Sequence, residues 1–266
     1  MRLAVTTPLS PPPDVEAAAR AAALRHGLPY ARRGGHSLAV ALAEVGADAA
    51  LVLSASRAAL VVGGEERRWA PGMGWLRAKR ARDRLRGDDP VPTARDPFLD
   101  AAGIRAGDAV LDCTLGLGAD ALVAAVAAGP AGRVLGVEAS PALAAWVAEG
   151  LRRLGDDAAD RIEVRAGDHA EVLGSLPARS FDVVVFDPMF RHARAQPAGF
   201  DVVRRLADPR PLSPGALREA RRVARRWVVV KDGAPGWDLA RLGLTPLPSA
   251  RGAHRYYARV APDGGP

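Results

Sequence analysis

Apolar and polar positions along the chain fall into two successive patterns. Near the start, Arg2–Thr6 is a short apolar run closed by Pro11, Pro12 and Pro13, and the stretch from Asp14 to about His26 repeats apolar positions at helical spacing, with Asp14 placed to cap it. Leu38–Val45 reads as a second helix, Ala49–Ser54 as a short buried strand and Ala59–Val62 as another strand that turns at Gly63-Gly64. Residues 1–65 therefore predict a small N-terminal α/β module. Residues 66–95 predict a linker. Within it, Leu76–Arg86 holds six basic residues against one acid, Asp83, and reads as a basic helix, either a solvated connection or a surface that faces nucleic acid. From Ile104 onward, apolar runs alternate with helical stretches: Ala109–Asp112, Arg133–Glu138, Arg161–Ala166, Phe181–Asp187 and Trp227–Lys231. Such alternation predicts an α/β domain over residues 96–266 with a doubly wound, mostly parallel sheet. Strands covered on both faces need near-continuous apolar runs, and Val183-Val184-Val185-Phe186 and Trp227-Val228-Val229-Val230 supply them.

A length of 266 residues suits one such domain with an appendage and is short for two large ones. With 48% apolar and 25% charged residues the chain can bury a sizeable core. The formal charge of +7 partly reflects a general preference for arginine, yet it still favours an acidic partner. Cys113 is the single cysteine, which excludes an intramolecular disulfide and a cysteine-rich zinc site and makes the cytoplasm the expected compartment. The first residues show no long apolar segment of the export type, and no run reaches membrane-spanning length, so neither export nor membrane insertion is expected.

The strongest motif is Asp112-Cys113-Thr114-Leu115-Gly116-Leu117-Gly118-Ala119-Asp120, a strand running into a glycine loop and then a helix near Asp120. Gly116 and Gly118 let backbone approach a ligand, and free N–H groups of the helix start face it. The next strand ends at Glu138-Ala139-Ser140, about 20 residues beyond Gly118, where a carboxylate can accept both ribose hydroxyls of an adenosine-type ligand. Ser140 is well placed to cap the helix that begins near Pro141. The third strand leads to Asp168-His169, where Asp168 either accepts an adenine amino group or caps the helix His169–Leu176. Asp112 is a further polar group at the crevice, and Cys113 reads as a small core residue.

The fourth strand ends in Asp187-Pro188-Met189-Phe190. A nucleobase amine is a poor nucleophile because its lone pair is delocalised into the ring. An aspartate and a backbone carbonyl held by a proline turn can accept its two N–H groups and aim the nitrogen, while Phe190 stacks on the extruded base. Arg191, His192 and Arg194 form a candidate flap, and Lys231 is a candidate substrate contact. Gly215–Arg226 reads as a helix with Arg218, Arg221, Arg222 and Arg225 on one face, a possible grip on phosphates or a solvated face.

The segments Asp112–Asp120, Asp187-Pro188-Met189-Phe190 with His192 following, and Val228-Val229-Val230-Lys231 resemble the bacterial 16S ribosomal RNA guanine-N2 methyltransferase J family and its Gram-positive relatives. The likeness covers the catalytic domain, and the first 65 or so residues look closer to the Gram-positive relatives. It implies a Rossmann-like class I methyltransferase fold, S-adenosylmethionine as methyl donor, no metal, and a guanine amine of 16S ribosomal RNA or the small ribosomal subunit as acceptor. Carried over, Asp112, Thr114, Gly116, Gly118, Asp120, Glu138, Ala139, Ser140, Asp168, His169 and Asp187 line the cofactor. Asp187, Pro188, Met189 and Phe190 are the catalytic element, and Phe190, Arg191, His192 and Lys231 meet the substrate. The family's proline after Asp-Pro-Met-Phe is Arg191 here, and Lys231 runs into Asp232-Gly233-Ala234-Pro235 rather than a further basic residue, both on the substrate side. A DNA amino-methyltransferase, a small-molecule or protein methyltransferase and a catalytically silent RNA-binding protein are the competing readings.

Overall fold

A computed structural model of the chain describes residues 1–87, 96–188, 200–249 and 254–263. The elements follow in chain order as β1 (Leu3–Thr6), α1 (Pro13–Arg25), α2 (Leu38–Glu44), β2 (Ala49–Leu53), β3 (Ala58–Val62), β4 (Glu65–Arg68), α3 (Met73–Arg86) and α4 (Pro97–Ala102). There follow β5 (Ala109–Asp112), α5 (Ala119–Ala128), β6 (Arg133–Glu138), α6 (Pro141–Arg152), β7 (Ile162–Ala166) and α7 (His169–Ser175). The chain closes with β8 (Phe181–Phe186), α8 (Phe200–Leu206), α9 (Pro214–Val223), β9 (Ala224–Gly233), α10 (Trp237–Arg241) and β10 (Arg255–Val260). Two compact units result, one of Met1–Ala70 with Ala145–Asp156, the other of Pro71–Ala144 with Asp157–Pro266.

The first unit is built on a sheet ordered β1-β2-β3-β4, with β1 parallel to β2 and the remaining pairs antiparallel. Asp14 does not cap α1: the cap position is Pro12, which has no side-chain acceptor, and Pro13 opens the helix with a preset φ and no N–H to satisfy. Strand β4, Glu-Glu-Arg-Arg, carries no apolar position and is recruited by backbone pairing to β3. The later half of α6 completes this unit. The Trp146 indole donates to the Ala58 carbonyl at 3.2 Å, and Arg153 donates to the Ser54 carbonyl at 2.9 Å.

Glu149, only 1% exposed, accepts from Arg25 and His26 at 3.0 Å each and from Arg153 at 2.6 Å. Burial opposes its ionisation, but hydrogen bonds from His26, Arg153 and Arg25 outweigh it and hold the carboxyl down at about 2. Because the folded value lies below the ordinary 4.5, the stabilisation is present above pH 4.5 and is lost as pH falls toward 2. Glu149→Gln is expected to lower unfolding free energy by about 2 kcal/mol at pH 7. The same change should matter progressively less in denaturant melts below pH 4. A constant penalty from pH 7 to pH 3 contradicts this.

The second unit contains, among the described residues, a six-stranded sheet ordered β10-β9-β8-β5-β6-β7. Strands β5 to β9 are mutually parallel and β10 runs antiparallel beside β9. This is the mostly parallel α/β sheet that the apolar runs predict, with an antiparallel edge in addition. Leu111, Val184, Phe186, Val228 and Val230 pack with Val172 and Leu173 of α7, Ala216, Leu217 and Ala220 of α9 and Leu239 of α10. Their neighbours Val110, Val183, Val185 and Val229 are also buried, as strands covered on both faces require. Strand order reverses between β5 and β8, so the crevice at their carboxyl ends is a topological switch point, the place where such sheets bind ligands.

The helix expected over Gly215–Arg226 stops at Val223, because Ala224 turns to extended backbone (φ −72°, ψ 140°) and begins β9. The arginines expected to grip phosphates are largely engaged within the fold. Arg222 donates to the Leu173 and Leu176 carbonyls at 2.8 and 2.9 Å, Arg221 to the Ala261 carbonyl at 3.0 Å, and Arg225 to the Arg179 carbonyl at 2.7 Å. These bonds tie three of the four arginines to backbone carbonyls of the fold, while Arg218 is exposed. Among the described residues no helix is long and apolar enough to cross a membrane.

Candidate functional site

Four acids stand at the carboxyl ends of successive parallel strands: Asp112 on β5, Glu138 on β6, Asp168 after β7 and Asp187 after β8. After β5 the chain makes a tight loop whose glycines have φ +51° at Gly116 and +79° at Gly118, left-handed values that a side chain would strain. Thr114 N–H donates to Asp112 at 3.0 Å, so that carboxylate orders the loop. Burial pushes the Asp112 carboxyl up to about 7, against the bond from Thr114. Cys113 is buried, as expected of a small core residue, and burial raises its thiol.

The Glu138 carboxylate, 6% exposed, accepts Gly116 N–H at 3.1 Å on one oxygen and Ser140 N–H at 2.9 Å on the other. It thereby ties the glycine loop to the next strand end. Burial raises its pKa against those two bonds. The cap of α6 falls to the Ser140 hydroxyl, which accepts Leu143 N–H at 3.4 Å. Asp168 caps α7 by accepting Ala170 N–H at 2.7 Å, and its second oxygen meets Arg210 at 2.6 Å. Burial acts to raise the Asp168 carboxyl, yet the Ala170 and Arg210 bonds prevail and lower it. The His169 ring packs edge-on against Phe186 with centroids 5.6 Å apart, and burial lowers its pKa.

At the fourth strand end, Asp187 N–H donates to the Thr114 hydroxyl at 2.6 Å, joining the end of β8 to the glycine loop. The Asp187 side chain, 28% exposed, pairs through one oxygen with the Lys231 ammonium. Lys231 also meets Asp120 at 3.1 Å, and Asp120 in turn pairs with Arg77 of α3. The three motif segments of the sequence thus meet at one point through Asp120, Lys231 and Asp187. Burial would raise Asp120, but Lys231 and Arg77 hold it below the ordinary carboxylate range. Asp187 is raised by burial and by the Asp120 charge despite Lys231. Burial would depress Lys231, but Asp187 and Asp120 keep it a firm ammonium.

Two expectations change in this geometry. Lys231 is 6% exposed and held by two carboxylates, so it is not an open substrate contact. Asp120 faces Lys231 and Arg77 in ion pairs rather than presenting a free acceptor. Arg77, read from sequence as one more charge of a basic helix, turns inward and had no motif to mark it. Helix α3 can approach α5 because Gly74 lacks a side chain: a Cβ there would lie 2.7 Å from the Ala119 Cα. Met189, Phe190, Arg191 and His192 lie outside the described residues, as does Arg194.

Residues 47–241 match the SAM_MT family model, which describes SAM-dependent methyltransferases. The chain belongs to this family. It is 39% identical over 198 residues to the uncharacterized protein YpiP of Bacillus subtilis, an overlap of 68% of this chain and 74% of that one. Over 151 residues it is 38% identical to ribosomal RNA small subunit methyltransferase J of Halorhodospira halophila, covering 52% of this chain and 55% of the relative. The chain thus spans little more than half the length of that J-type relative. The SAM-dependent methyltransferase NGO1261 of Neisseria gonorrhoeae shares the fold, with a TM-score of 0.61 and 22% identity over 98% of this chain and 97% of that one. The protein is therefore a SAM-dependent methyltransferase of the Rossmann-like class I fold, as its motifs predict, with S-adenosylmethionine as methyl donor.

Proposed function

We propose that this methyltransferase transfers a methyl group to an exocyclic base amine of ribosomal RNA, and specifically to guanine N2 in 16S ribosomal RNA. What supports the reading is the Asp187-Pro188 turn, anchored through Thr114 to the glycine loop at the switch point of the sheet, next to the strand end that carries Glu138. The J-type relatives to which the chain is similar bear ribosomal RNA small subunit methylation in their name.

The residues present fit the methyl donor. Glu138 is a buried carboxylate, with each oxygen accepting one backbone N–H and retaining a lone pair suited to a ribose hydroxyl. The positive φ angles of Gly116 and Gly118 give a loop without side-chain bulk where the donor's chain would lie, beside Thr114 and Asp112. Asp120 follows that loop in the first turn of α5, where it pairs with Arg77 and Lys231. Asp168 and His169, with Ala139 and Ser140, would border the adenine and ribose end. When bound, S-adenosylmethionine supplies an electrophilic methyl group on a positively charged sulfur.

Asp187 accepts an N–H of the base amine and orients its lone pair, and the following turn supplies a backbone carbonyl for the other N–H. Phe190, Arg191 and His192 are assigned to the base and its flap. No protein base is needed for the proton, which passes to water after transfer because the methylated amine is acidic until it loses it. RNA is held in part by the outward side of α3, where Trp75, Lys79, Arg80 and Arg86 are exposed, a combination suited to stacking on bases and pairing with phosphates. In a competition assay with duplex DNA, the methyl label should enter 16S RNA and not the DNA, and transfer should fall steeply between 50 and 200 mM salt, about 10-fold or more. Labelling of the DNA in preference to the RNA would instead establish the DNA amino-methyltransferase.

A further inference from the structure

We propose that Arg77, Asp120 and Lys231 are positioning residues, an ion-pair relay that fixes the Asp187 carboxylate with one oxygen committed and leaves the other to the acceptor amine. The proposal rests on the reading of Asp187 as the amine acceptor. The relay starts at Asp96, the cap of α4, which receives Arg77 through Nε at 2.7 Å and Nη2 at 3.0 Å. Arg77 Nη1 pairs with one oxygen of Asp120, whose other oxygen meets Lys231 Nζ at 3.1 Å. Lys231 Nζ then pairs with Asp187 Oδ2. Each member is held from two sides, so the last carboxylate cannot rotate without disturbing four others.

Such an arrangement is a poor way to stabilise a fold. Desolvating Lys231 and Asp120, both nearly fully buried, offsets most of what their attraction provides, and apolar residues of the same volume would serve as well. What the relay does provide is placement and charge for a group at the mouth of the crevice. Lys231 cannot act as a base, because two carboxylates keep it protonated. Its effect is to favour the ionised, accepting form of Asp187 against burial and against the Asp120 charge. The other ionisable groups facing this point are Asp112 from β5 and Arg255 and Tyr257 from β10. Tyr257 lies opposite Lys231 in the sheet register, and burial pushes its phenol up to about 12, so it stays neutral.

The test pairs a titration of the free protein with methyl-transfer kinetics. The Asp187 carboxyl is followed by carbon-detected NMR in the wild type, Lys231→Met, Lys231→Arg and Arg77→Met. In Lys231→Met the carboxyl should titrate at least about one pH unit higher. Its kcat should fall about 100-fold, with KM for S-adenosylmethionine within about twofold and the acid limb of the pH profile moved upward by the same interval. Lys231→Arg should restore most of the activity, and Arg77→Met should shift the titration in the same direction by less. Should Lys231→Met not fold, the Arg77→Met and Lys231→Arg proteins decide alone. An Asp187 titration and pH profile unchanged in the folded variants overturn the relay. The expected titration shifts in the variants, together with a wild type that methylates no RNA, would instead sink the substrate reading and leave the relay standing.

Discussion

Replacing Glu138 by alanine is expected to weaken S-adenosylmethionine binding by about 1000-fold, the loss of two charge-assisted hydrogen bonds to the ribose at roughly 1.5–3 kcal/mol each. The structure adds a second cost. Glu138 holds Gly116 N–H and Ser140 N–H, so its removal also frees the glycine loop from the neighbouring strand end. Glu138→Gln separates the two effects, since its amide oxygen can keep one backbone donor while its NH₂ group faces the other, and it should lose about 100-fold. Because burial raises the Glu138 pKa, the accepting carboxylate is depleted earlier on acidification than an ordinary glutamate. Affinity should therefore be full above that raised value and decline as pH falls through it, provided the bound form is the carboxylate. Calorimetric titration of the methyl donor and its demethylated product measures both effects. Wild-type affinity in Glu138→Ala would remove Glu138 from the site.

Asp187→Ala is expected to lower kcat for methyl transfer by about 1000-fold while leaving donor affinity within a few-fold. Without the carboxylate, the amine is neither aimed nor polarised, and the Lys231 ammonium is left beside Asp120 with one partner fewer. The anchor from Asp187 N–H to Thr114 is a backbone donor and survives the substitution, so the glycine loop should keep its shape. Asp187→Asn should be nearly as inactive, because its amide oxygen turns to the Lys231 ammonium and leaves the NH₂ group, a donor, facing the amine N–H, and the ion pair is lost. Single-turnover rates with saturating donor check this directly. Equal loss of donor binding and of rate would mean that Asp187 belongs to the cofactor rather than to the acceptor.

Much of this was legible in the sequence because buried parallel strands advertise themselves. Val183–Phe186 and Trp227–Val230 have no other reasonable place than a doubly covered sheet, and glycine loop, Glu138 and Asp187 follow strand ends at intervals that a switch-point crevice demands. Strands β4 and β10 were not legible for the opposite reason: Glu-Glu-Arg-Arg and Arg-Tyr-Tyr-Ala-Arg-Val are edge strands whose pairing comes from a neighbour's free backbone groups, not from apolar alternation. Nor could periodicity reveal that α6 divides, with Glu149 and Trp146 completing the first unit, since a helix shows the same spacing whichever partner it packs on.

At the site, spacing identified the segments but not their mutual contacts. Asp120, Lys231 and Asp187 lie on α5, β9 and the end of β8, and only the sheet order brings them together. Arg77 sat in a run of six basic residues with nothing to distinguish it, and its inward direction depends on the close approach at Gly74. Arg222 shows the converse: its place on an arginine face suggested phosphate, whereas it closes the end of α7 by binding two carbonyls.

The most direct measurement is to incubate the protein with S-adenosylmethionine and small ribosomal subunits lacking the modification, digest the RNA to nucleosides and identify the methylated product by mass spectrometry, with Asp187→Ala in parallel. N2-methylguanosine formed by the wild type and reduced about 1000-fold in Asp187→Ala is the predicted result. A different methylated nucleoside, or equal product from the two proteins, would contradict the assignment of Asp187 to a guanine amine.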